Sequence, residues 1–508
     1  MSANKQIAKN LIFNIGVFVI NTGISFFLSP YLIRTVGKEA YGFYPLISNI
    51  VSYSNIATSA IGSMAGRFIT MELYDGRKDE AEGYFNSVLL ANWGLSLIFS
   101  LLLLLGVIHL SEILTIPLHL EFDVRWIFIF SCLAMIISFN SDLLGIGTYV
   151  KNRVDLNSLM RMAMAAVNVL CIIWLFSSYD STIIFIGVAS FISALVGIIF
   201  NIYYKRTLLP ELSIRPVQKF SFAKIKTLLS SGIWNSINQL SNILLIHVDL
   251  LITNIFLGAS LTGDFSLVKM APNLIYTLLA LLSGSFIPNF NILYAQRKEN
   301  ELLHEIKKSM KIIGVLICIP LSFLLVFADE FFSLWVPSVD SNFLYWLSFI
   351  TVLPMIFGSS INPIFGVFTI TNKLKLPSLV LLATGIITTI AIILLLKFTN
   401  IGIWAIPIVG AVQHTIRNVF FTPIYATVCL NQKRTAFYPT VFKCCIALIV
   451  ACMVGITIKN LIVDMSWTAL VLKATLLSII STALNSYVIL NSQERAFVVY
   501  KLKSFMKI

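Results

Sequence analysis

The stretch NLIFNIGVFVINTG at residues 10–23 recurs as SSGIWNSINQLSN at residues 230–242, and this repeat decides the fold. Asn14 corresponds to Asn235 at an offset of 221 positions (235−14). Two tandem membrane halves commonly enclose a transport site at their interface. Function is therefore expected where the two halves meet. The same offset relates three further pairs, which are Asn21 with Asn242, Gly37 with Gly258, and Gly42 with Gly263.

The composition of the chain requires a lipid environment. The 508 residues are 58% hydrophobic and 12% charged, and the mean hydropathy is +0.89. A water-soluble core cannot hide that much apolar surface. We therefore predict an all-α polytopic membrane protein with about 14 transmembrane helices, the tenth kinked by the Pro and Gly residues of LPMIFGSSINPIFG. The predicted spans begin near Leu11, Phe43, Ser87, Val124, Val154, Ser181, Thr227, Phe265, Lys311, Phe343, Ser378, Gly402, Tyr438 and Thr468.

The distribution of Lys and Arg predicts the orientation and the domains. With a cytoplasmic N-terminus, most of the 36 basic residues fall in inner segments, so both termini are predicted to be cytoplasmic. The same bias explains the net charge of +13 without a nucleic-acid partner. We predict an N-terminal lobe of helices 1–6 at residues 1–204 and a basic cytoplasmic linker at 205–226. A C-terminal lobe of helices 7–12 follows at 227–426, and two extra helices with a basic tail occupy 427–508.

Several kinds of chemistry are disfavoured by the sequence. The seven cysteines have no CxxC or Cys/His spacing, so neither disulfides nor a metal site is predicted. No Walker A glycine loop is present, so ATP hydrolysis by this chain is not expected. The predicted outer loops are too short for an interfacial active site, which argues against an enzyme. No cofactor is predicted, and the choice of H⁺ or Na⁺ as a coupling ion stays open.

The N-terminal motifs identify a family resemblance. The first predicted helix contains several polar residues. It is followed by VGKEAYGFYPL at residues 36–46 and by GRF at residues 66–68. Together with the repeat and the fourteen predicted helices, these motifs resemble polysaccharide exporters of the multidrug/oligosaccharidyl-lipid/polysaccharide (MOP) superfamily. In particular, the chain is similar to Wzx-type flippases of O-antigen or capsule repeat units.

This resemblance implies a fold and a function. It implies a V-shaped, MATE-like protein with two six-helix lobes plus two C-terminal helices, located in the bacterial cytoplasmic (inner) membrane. It implies transport of undecaprenyl-diphosphate-linked oligosaccharide repeat units from the inner to the outer leaflet by alternating access. Membrane lipids, a polysaccharide polymerase and a chain-length regulator are the implied partners. Whether the polymer is lipopolysaccharide O-antigen or capsule stays open.

Polar side chains within the predicted helices are candidates for a substrate cavity. Each costs free energy in hydrocarbon unless it faces protein or water. Residues spaced by three, four or seven positions share one helical stripe, which could bind sugar hydroxyls. The alternative is that they hydrogen-bond one helix to another. The candidates are Asn14 and Asn21 on the first helix, Asn235, Gln239 and Asn242 on the seventh, and Lys269, Asn273 and Tyr276 on the eighth.

Cations inside the helices are candidates for binding the diphosphate. Arg161 on the fifth helix and Arg417, which shares a face of the twelfth helix with His414, could bind phosphate oxygens through the planar guanidinium fork. Asp142 could hold Arg161 in place. The alternative is that these arginines extend to the inner head groups, and Lys473, nearer a helix end, is expected to do so.

Asp249 and Lys269 are predicted to form an ion pair. They lie at similar depth on the seventh and eighth helices. Such a pair would either pin a helical hairpin or gate the outer mouth of the transporter. The four repeated glycines are interpreted as turn residues that adopt positive φ.

Two alternatives to the flippase function stay open. One is a cation-coupled antiporter of drugs or other small molecules with the same fold, and the other is an integral-membrane polysaccharide polymerase or ligase. The first helix has no acidic residue, whereas proton-coupled multidrug exporters of this superfamily carry a carboxylate there. The candidate cavity charges are also mainly basic, so the flippase is the preferred hypothesis.

Overall fold

The computed structural model describes residues 3–489 together with 491 and 495, and every regular element among them is helical. A helix satisfies its own backbone hydrogen bonds, which hydrocarbon requires. The first helices are α1 (Ala3–Val36), α2 (Lys38–Ser52), α3 (Asn55–Tyr74), α4 (Lys78–Ile108), α5 (Leu110–Ile113), α6 (Glu121–Leu144), α7 (Gly147–Val150), α8 (Val154–Ser178), α9 (Ile184–Leu208), α10 (Phe222–Asn242) and α11 (Val248–Leu257). The remaining helices are α12 (Ala259–Gly284), α13 (Ile287–Ala295), α14 (Glu299–Trp335), α15 (Ser341–Val352), α16 (Met355–Ile361), α17 (Phe365–Ile370), α18 (Lys375–Phe398), α19 (Ala405–Ile416), α20 (Thr422–Cys429), α21 (Tyr438–Leu461) and α22 (Trp467–Ile489).

The helices form two compact units. Unit 1 contains the chain up to Ser266 together with Leu381–Ile386, and unit 2 contains Leu267–Val380 and the chain from Ile387 onward. In unit 1, α6 packs along α9, α8 packs on α1 and α9, and α3 packs between α4 and α10. In unit 2, α14 packs against α15, α21 and α22. The long helix α14 is the most buried of the candidate spans, because it forms the centre of unit 2.

The number of membrane crossings was predicted to be about fourteen. Among the described residues, eleven helical segments are long and apolar enough to cross a membrane, or up to twelve when one bent pair counts as a single span. The predicted crossings near Phe43 and Gly402 correspond to divided helices, α2 with α3 and α19 with α20. The predicted all-α membrane fold is confirmed, whereas the count of fourteen and the cytoplasmic termini stay predictions.

The predicted kink in the tenth segment is confirmed. The axis bends by 41° between Ser341–Val352 and Met355–Ile370. Pro354 lies at the break, and Pro363 lies in a short 3-10 turn farther along. Proline lacks a backbone N–H and clashes with the preceding turn, so each interrupts the helical hydrogen-bond ladder.

The repeat is visible in the local geometry of the chain. Gly37 ends α1 with a φ of 85°, and its equivalent Gly258 ends α11 with a φ of 89°. Only glycine adopts such conformations without a steric cost. The turn interpretation is thus confirmed for these two residues but is wrong for Gly42 and Gly263, which lie inside α2 and α12.

Two further turns repeat in the same way. Gly76 has a φ of 78° and Arg297 has a φ of 58°, at an offset of 221 (297−76). Asn152 has a φ of 52° and Asn372 has a φ of 54°, at an offset of 220 (372−152). Each turn follows a helix and is closed by a backbone bond across six residues, which is the Schellman arrangement. The internal repeat therefore extends over much more of the chain than the motif that reveals it.

The segment between α9 and α10 is attached to α4 within unit 1. The backbone N–H of Ser213 donates to Glu82 at 2.9 Å, and the N–H of Arg215 donates to Asn86 at 2.7 Å. The Asn86 amide also donates to the Ser213 carbonyl at 2.9 Å. These bonds give the predicted linker a defined path along the start of α4.

The two C-terminal helices are each joined to α14 by an ion pair. Lys459 of α21 lies 2.7 Å from Asp329, and Lys473 of α22 lies 2.6 Å from Glu330. The side chains of the second pair are only 0% and 3% exposed. The expectation that Lys473 extends to a membrane surface is therefore wrong, because the buried Glu330 carboxylate holds its ammonium group inside unit 2.

Candidate functional site

A polar cavity of about 600 Å³ lies within unit 1. It reaches Thr148 and Tyr149, just before the basic turn that contains Lys151 and Arg153. Its polar lining consists mainly of amide and hydroxyl groups, and Asp142 supplies the carboxylate. The polar lining residues are Asn55, Thr58, Ser59, Ser63, Asn92, Asp142, Thr148, Tyr149, Asn157 and Gln239.

Small residues on α3 leave the space that the cavity occupies. Ser59, Gly62, Ser63 and Gly66 are spaced by three, one and three positions, which keeps them on one face of the helix. A Cβ atom added at Gly62 would meet no other atom within 4 Å. At Gly66 a Cβ would lie 3.1 Å from the Tyr149 ring. The open space therefore lies beside Gly62.

A carboxylate lines the cavity, and an arginine lies next to the lining. Asp142 is exposed and lines the cavity. The Arg161 guanidinium donates to Asn157 at 2.9 Å and is close enough to Asp142 to interact electrostatically. Arg161 itself is not part of the cavity lining, so its assignment to the substrate cavity stays a prediction.

One polar residue of the α10 stripe lines the cavity, and another bonds α10 to a neighbouring helix. Gln239 lines the cavity. Asn235 donates to the cavity residue Ser63 at 3.0 Å, whereas Asn242 lies exposed on the same helix. Ser236, which the stripe did not include, lies 3.0 Å from Ser59. Small residues here let α3 and α10 approach closely.

The stripe of α1 lies outside this cavity. Asn14 accepts a hydrogen bond from Ser158 of α8 at 2.8 Å, and Asn21 is exposed. Asn10, one turn earlier, accepts from the backbone N–H of Asp155 at 3.0 Å. Asn14 therefore hydrogen-bonds α1 to α8.

The predicted site residues of unit 2 form a separate hydrogen-bonded cluster. The Tyr276 hydroxyl lies 3.2 Å from His414, and the Asn418 amide lies 3.1 Å from the same ring. Arg417 approaches the Asn418 amide oxygen at 3.5 Å. Gly358 leaves room for the imidazole, since a Cβ there would lie 2.6 Å from the His414 ring. The ring thus ties α12 and α16 to α19.

Two further candidates, Lys269 and Asn273, lie on α12 in unit 2. Lys269 is buried on α12 and Asn273 is exposed one turn later. Asp249 belongs to unit 1, where its carboxylate accepts from the N–H of Leu250 at 2.8 Å. The ion pair between Asp249 and Lys269 stays a prediction.

In the part of the chain that the structure describes, π-helical segments interrupt long helices at Ile243–His247 and at Arg417–Phe421. Such segments often occur at functional positions because they free backbone groups. The His247 carbonyl accepts from the Tyr53 hydroxyl at 3.4 Å, and its ring lies 2.9 Å from Asn49. The first π segment thus contacts Asn49 of α2 and Tyr53, the residue that follows α2.

An ion pair between Lys38, at the start of α2, and the buried carboxylate of Asp264 was not predicted. Lys38 follows Gly37 and lies 3.2 Å from Asp264, whose side chain is 5% exposed. Asp264 follows Gly263 in the sequence LTGDFS. Each partner directly follows a glycine of the repeat, Lys38 after Gly37 and Asp264 after Gly263, and this position is the sequence signal that could have identified the pair.

The repeat-equivalent glycines Gly42 and Gly263 contact each other. A Cβ on Gly42 would lie 2.8 Å from the Gly263 nitrogen and 3.3 Å from the Ala259 carbonyl oxygen. A Cβ on Gly263 would lie 2.5 Å from the carbonyl oxygen of Lys38, which is the equivalent of Ala259. The two contacts are reciprocal, so the local twofold axis of the repeat passes between these glycines.

Replacing Gly42 by Ala is expected to destabilise unit 1. The added Cβ would meet backbone atoms, and such overpacking costs about 1–3 kcal/mol. The control is Gly23→Ala in α1, where a Cβ meets nothing within 4 Å. Thermal unfolding of the purified proteins in detergent should show a lower midpoint for Gly42→Ala only. Equal midpoints would contradict the close contact.

Comparison with known proteins agrees with this architecture. The EpsK protein of Bacillus subtilis (strain 168), an uncharacterized membrane protein, is 25% identical over 502 residues, 97% of each chain. An inward-facing multidrug resistance MATE family transporter of the MOP superfamily aligns with a TM-score of 0.64 at 12% identity, covering 82% of this chain and 94% of that one. The MATE multidrug transporter DinF-BH also aligns with a TM-score of 0.64, at 15% identity, covering 86% and 97%.

The family model of polysaccharide biosynthesis proteins matches residues 7–294, which is 288 of 508 residues (294−7+1) and more than half of the chain. The resemblance drawn from the N-terminal motifs is therefore confirmed, as is the expected MATE-like fold. This chain is a multi-pass membrane protein that belongs to the polysaccharide biosynthesis protein family and has the fold of the MOP-superfamily transporters.

Proposed function

We propose that this protein transports lipid-linked oligosaccharides across the membrane, moving undecaprenyl-diphosphate-linked repeat units from the inner to the outer leaflet by alternating access. The observation that carries the proposal is the cavity of about 600 Å³ lined by amides and hydroxyls in a member of the polysaccharide biosynthesis family. Sugar hydroxyls both donate and accept hydrogen bonds, and such a lining offers both kinds of partner.

Arg161 is proposed to bind the diphosphate. A doubly charged head group cannot cross hydrocarbon without a hydrated, polar path. The guanidinium donates to the cavity-lining residue Asn157 at 2.9 Å, and its planar donor fork matches phosphate oxygens. Asp142 is close enough to Arg161 to interact electrostatically, so an arriving diphosphate would compete with this carboxylate for the guanidinium. Arg417 lies in unit 2 within the cluster around His414, where we propose a structural role.

The test is transport by purified protein in liposomes that contain an undecaprenyl-diphosphate-linked oligosaccharide. Accessibility of the sugar to an added glycosidase reports its transfer between leaflets. Arg161→Ala should slow transfer about tenfold or more, because a charge-assisted hydrogen bond contributes roughly 1.5–3 kcal/mol. Arg161→Lys should retain part of the rate, and Arg206→Ala, an exposed arginine of α9, is the matched control.

Absence of transfer by the unaltered protein would overturn the proposal. The carboxylate of Asp142 in the cavity is the observation that favours the alternative, an exporter of organic cations. Export of a fluorescent cationic dye from the same liposomes, with no transfer of the oligosaccharide, would establish that alternative instead. Equal rates for Arg161→Ala and Arg206→Ala would remove Arg161 from the site.

A further inference from the structure

A second cavity lies in unit 2, where α14 and α21 begin. Its volume is about 210 Å³. The described lining contains three lysines and a histidine but no carboxylate. This basic character distinguishes it from the cavity of unit 1, whose lining among the described residues contains a carboxylate and no basic side chain. The lining residues are His304, Lys307 and Lys311 of α14 with Ala436, Pro439, Thr440 and Lys443 at the start of α21.

The basic side chains converge because of helical spacing. His304, Lys307 and Lys311 occur at intervals of three and four residues, so they share one face of α14. Lys308, which does not line the cavity, pairs with Glu305 at 3.2 Å. Glu305, the carboxylate between His304 and Lys311 in the sequence, therefore pairs with a lysine that does not line the cavity.

Convergent cations require an anion to offset their repulsion. Like charges four residues apart on a helix are destabilising. Within the described part of the chain, neither Lys307 nor Lys443 forms an ion pair. The N-terminus of the 24-residue helix α21 adds a positive dipole end at the same cavity. Both features favour a bound phosphate group.

An exposed apolar side chain lies next to the cavity on α21. Phe442, which precedes the lining residue Lys443, is 68% exposed. An apolar side chain beside a basic cavity at a helix start suits a ligand with a charged head and a hydrocarbon tail. Basic pockets between membrane helices bind anionic lipid head groups in this manner.

We propose that this cavity binds the phosphate-bearing head group of a lipid at the membrane surface where α14 and α21 begin. The Lys and Arg distribution predicts that this surface is cytoplasmic. The ligand chemistry is shared by anionic phospholipids and by polyprenyl diphosphates. The site does not depend on the proposed transport activity, and it joins one of the two C-terminal helices to the centre of unit 2.

The test is lipid binding to the full-length protein in phosphatidylcholine nanodiscs, followed by native mass spectrometry. Phosphatidylglycerol, undecaprenyl diphosphate and inorganic phosphate are the three probes. The triple variant Lys307→Gln, Lys311→Gln, Lys443→Gln should bind the lipid probes at least about tenfold more weakly, because it loses three charge contacts. The corresponding triple replacement by Arg should retain binding and shows that the charge, not the fold, is responsible.

The matched control removes the same number of charges from exposed lysines of unit 2, with Lys298→Gln, Lys373→Gln and Lys375→Gln. It should bind like the unaltered protein. Tighter binding of phosphatidylglycerol or of undecaprenyl diphosphate identifies the physiological source, and either result supports the site. Equal losses in both triple variants, or displacement of lipid by an equal concentration of inorganic phosphate, would overturn it.

Discussion

Replacing Gly62 by Trp should reduce oligosaccharide transfer by roughly 100-fold, equivalent to about 2.7 kcal/mol in the barrier. Gly62 lines the cavity of unit 1, and a Cβ there meets no atom within 4 Å. The indole would therefore enter the space proposed for the sugar without disturbing the packing of α3. Gly62→Ala should transfer at nearly the normal rate, because one methyl group occupies little of about 600 Å³.

The control for this substitution is Gly94→Trp on α4. A Cβ at Gly94 also meets nothing within 4 Å, and Gly94 does not line the cavity. Both Trp variants should elute as folded protein on size-exclusion chromatography, and only Gly62→Trp should lose transfer in the liposome measurement. Normal transfer by folded Gly62→Trp would show that the substrate does not use this cavity.

Replacing Lys473 by Ala should strongly destabilise unit 2. The substitution leaves the Glu330 carboxylate, 3% exposed, without its partner at 2.6 Å. Removing one member of a buried ion pair costs about 3–5 kcal/mol, because an uncompensated charge stays in a medium of low polarity. The double variant Lys473→Met, Glu330→Met should recover most of the loss, since no buried charge remains. Thermal unfolding in detergent measures both changes.

The neighbouring pair provides the control. Lys459 and Asp329 join the same central helix to α21 at 2.7 Å, but their side chains are 29% and 35% exposed. An ion pair open to solvent contributes about 0–1 kcal/mol. Lys459→Ala should therefore lower the unfolding midpoint much less than Lys473→Ala. Equal decreases in the unfolding midpoint for the two variants would show that burial does not determine how much the Lys473–Glu330 pair stabilises unit 2.

The helical fold could be predicted because its cause is local. Runs of about 20 apolar residues must become helices in hydrocarbon, whatever surrounds them. Gly37 and Gly258 were assigned to turns from their position between two such runs, and both have positive φ. The bend near Pro354 was likewise predicted from proline chemistry alone.

The candidate site could be predicted only in part. Gln239 lines the cavity of unit 1, and Arg161 is hydrogen-bonded to Asn157 in its lining. Asn14 has the same residue type and the same position in the repeat as Asn235, yet it bonds to Ser158 outside the cavity. A helical stripe identifies which residues share a face, but it does not specify what that face contacts.

The order of residues alone determined four features: helix formation, the internal repeat, the turn glycines and the family of this protein. Each of these depends on near neighbours in the sequence or on periodic spacing. The roles of Gly42, Asp264 and Lys473 depend on partners more than 140 positions away in the chain. Such contacts form only when the helices pack. The tertiary structure therefore decided which polar groups face a cavity, which form ion pairs, and where two equivalent helices meet.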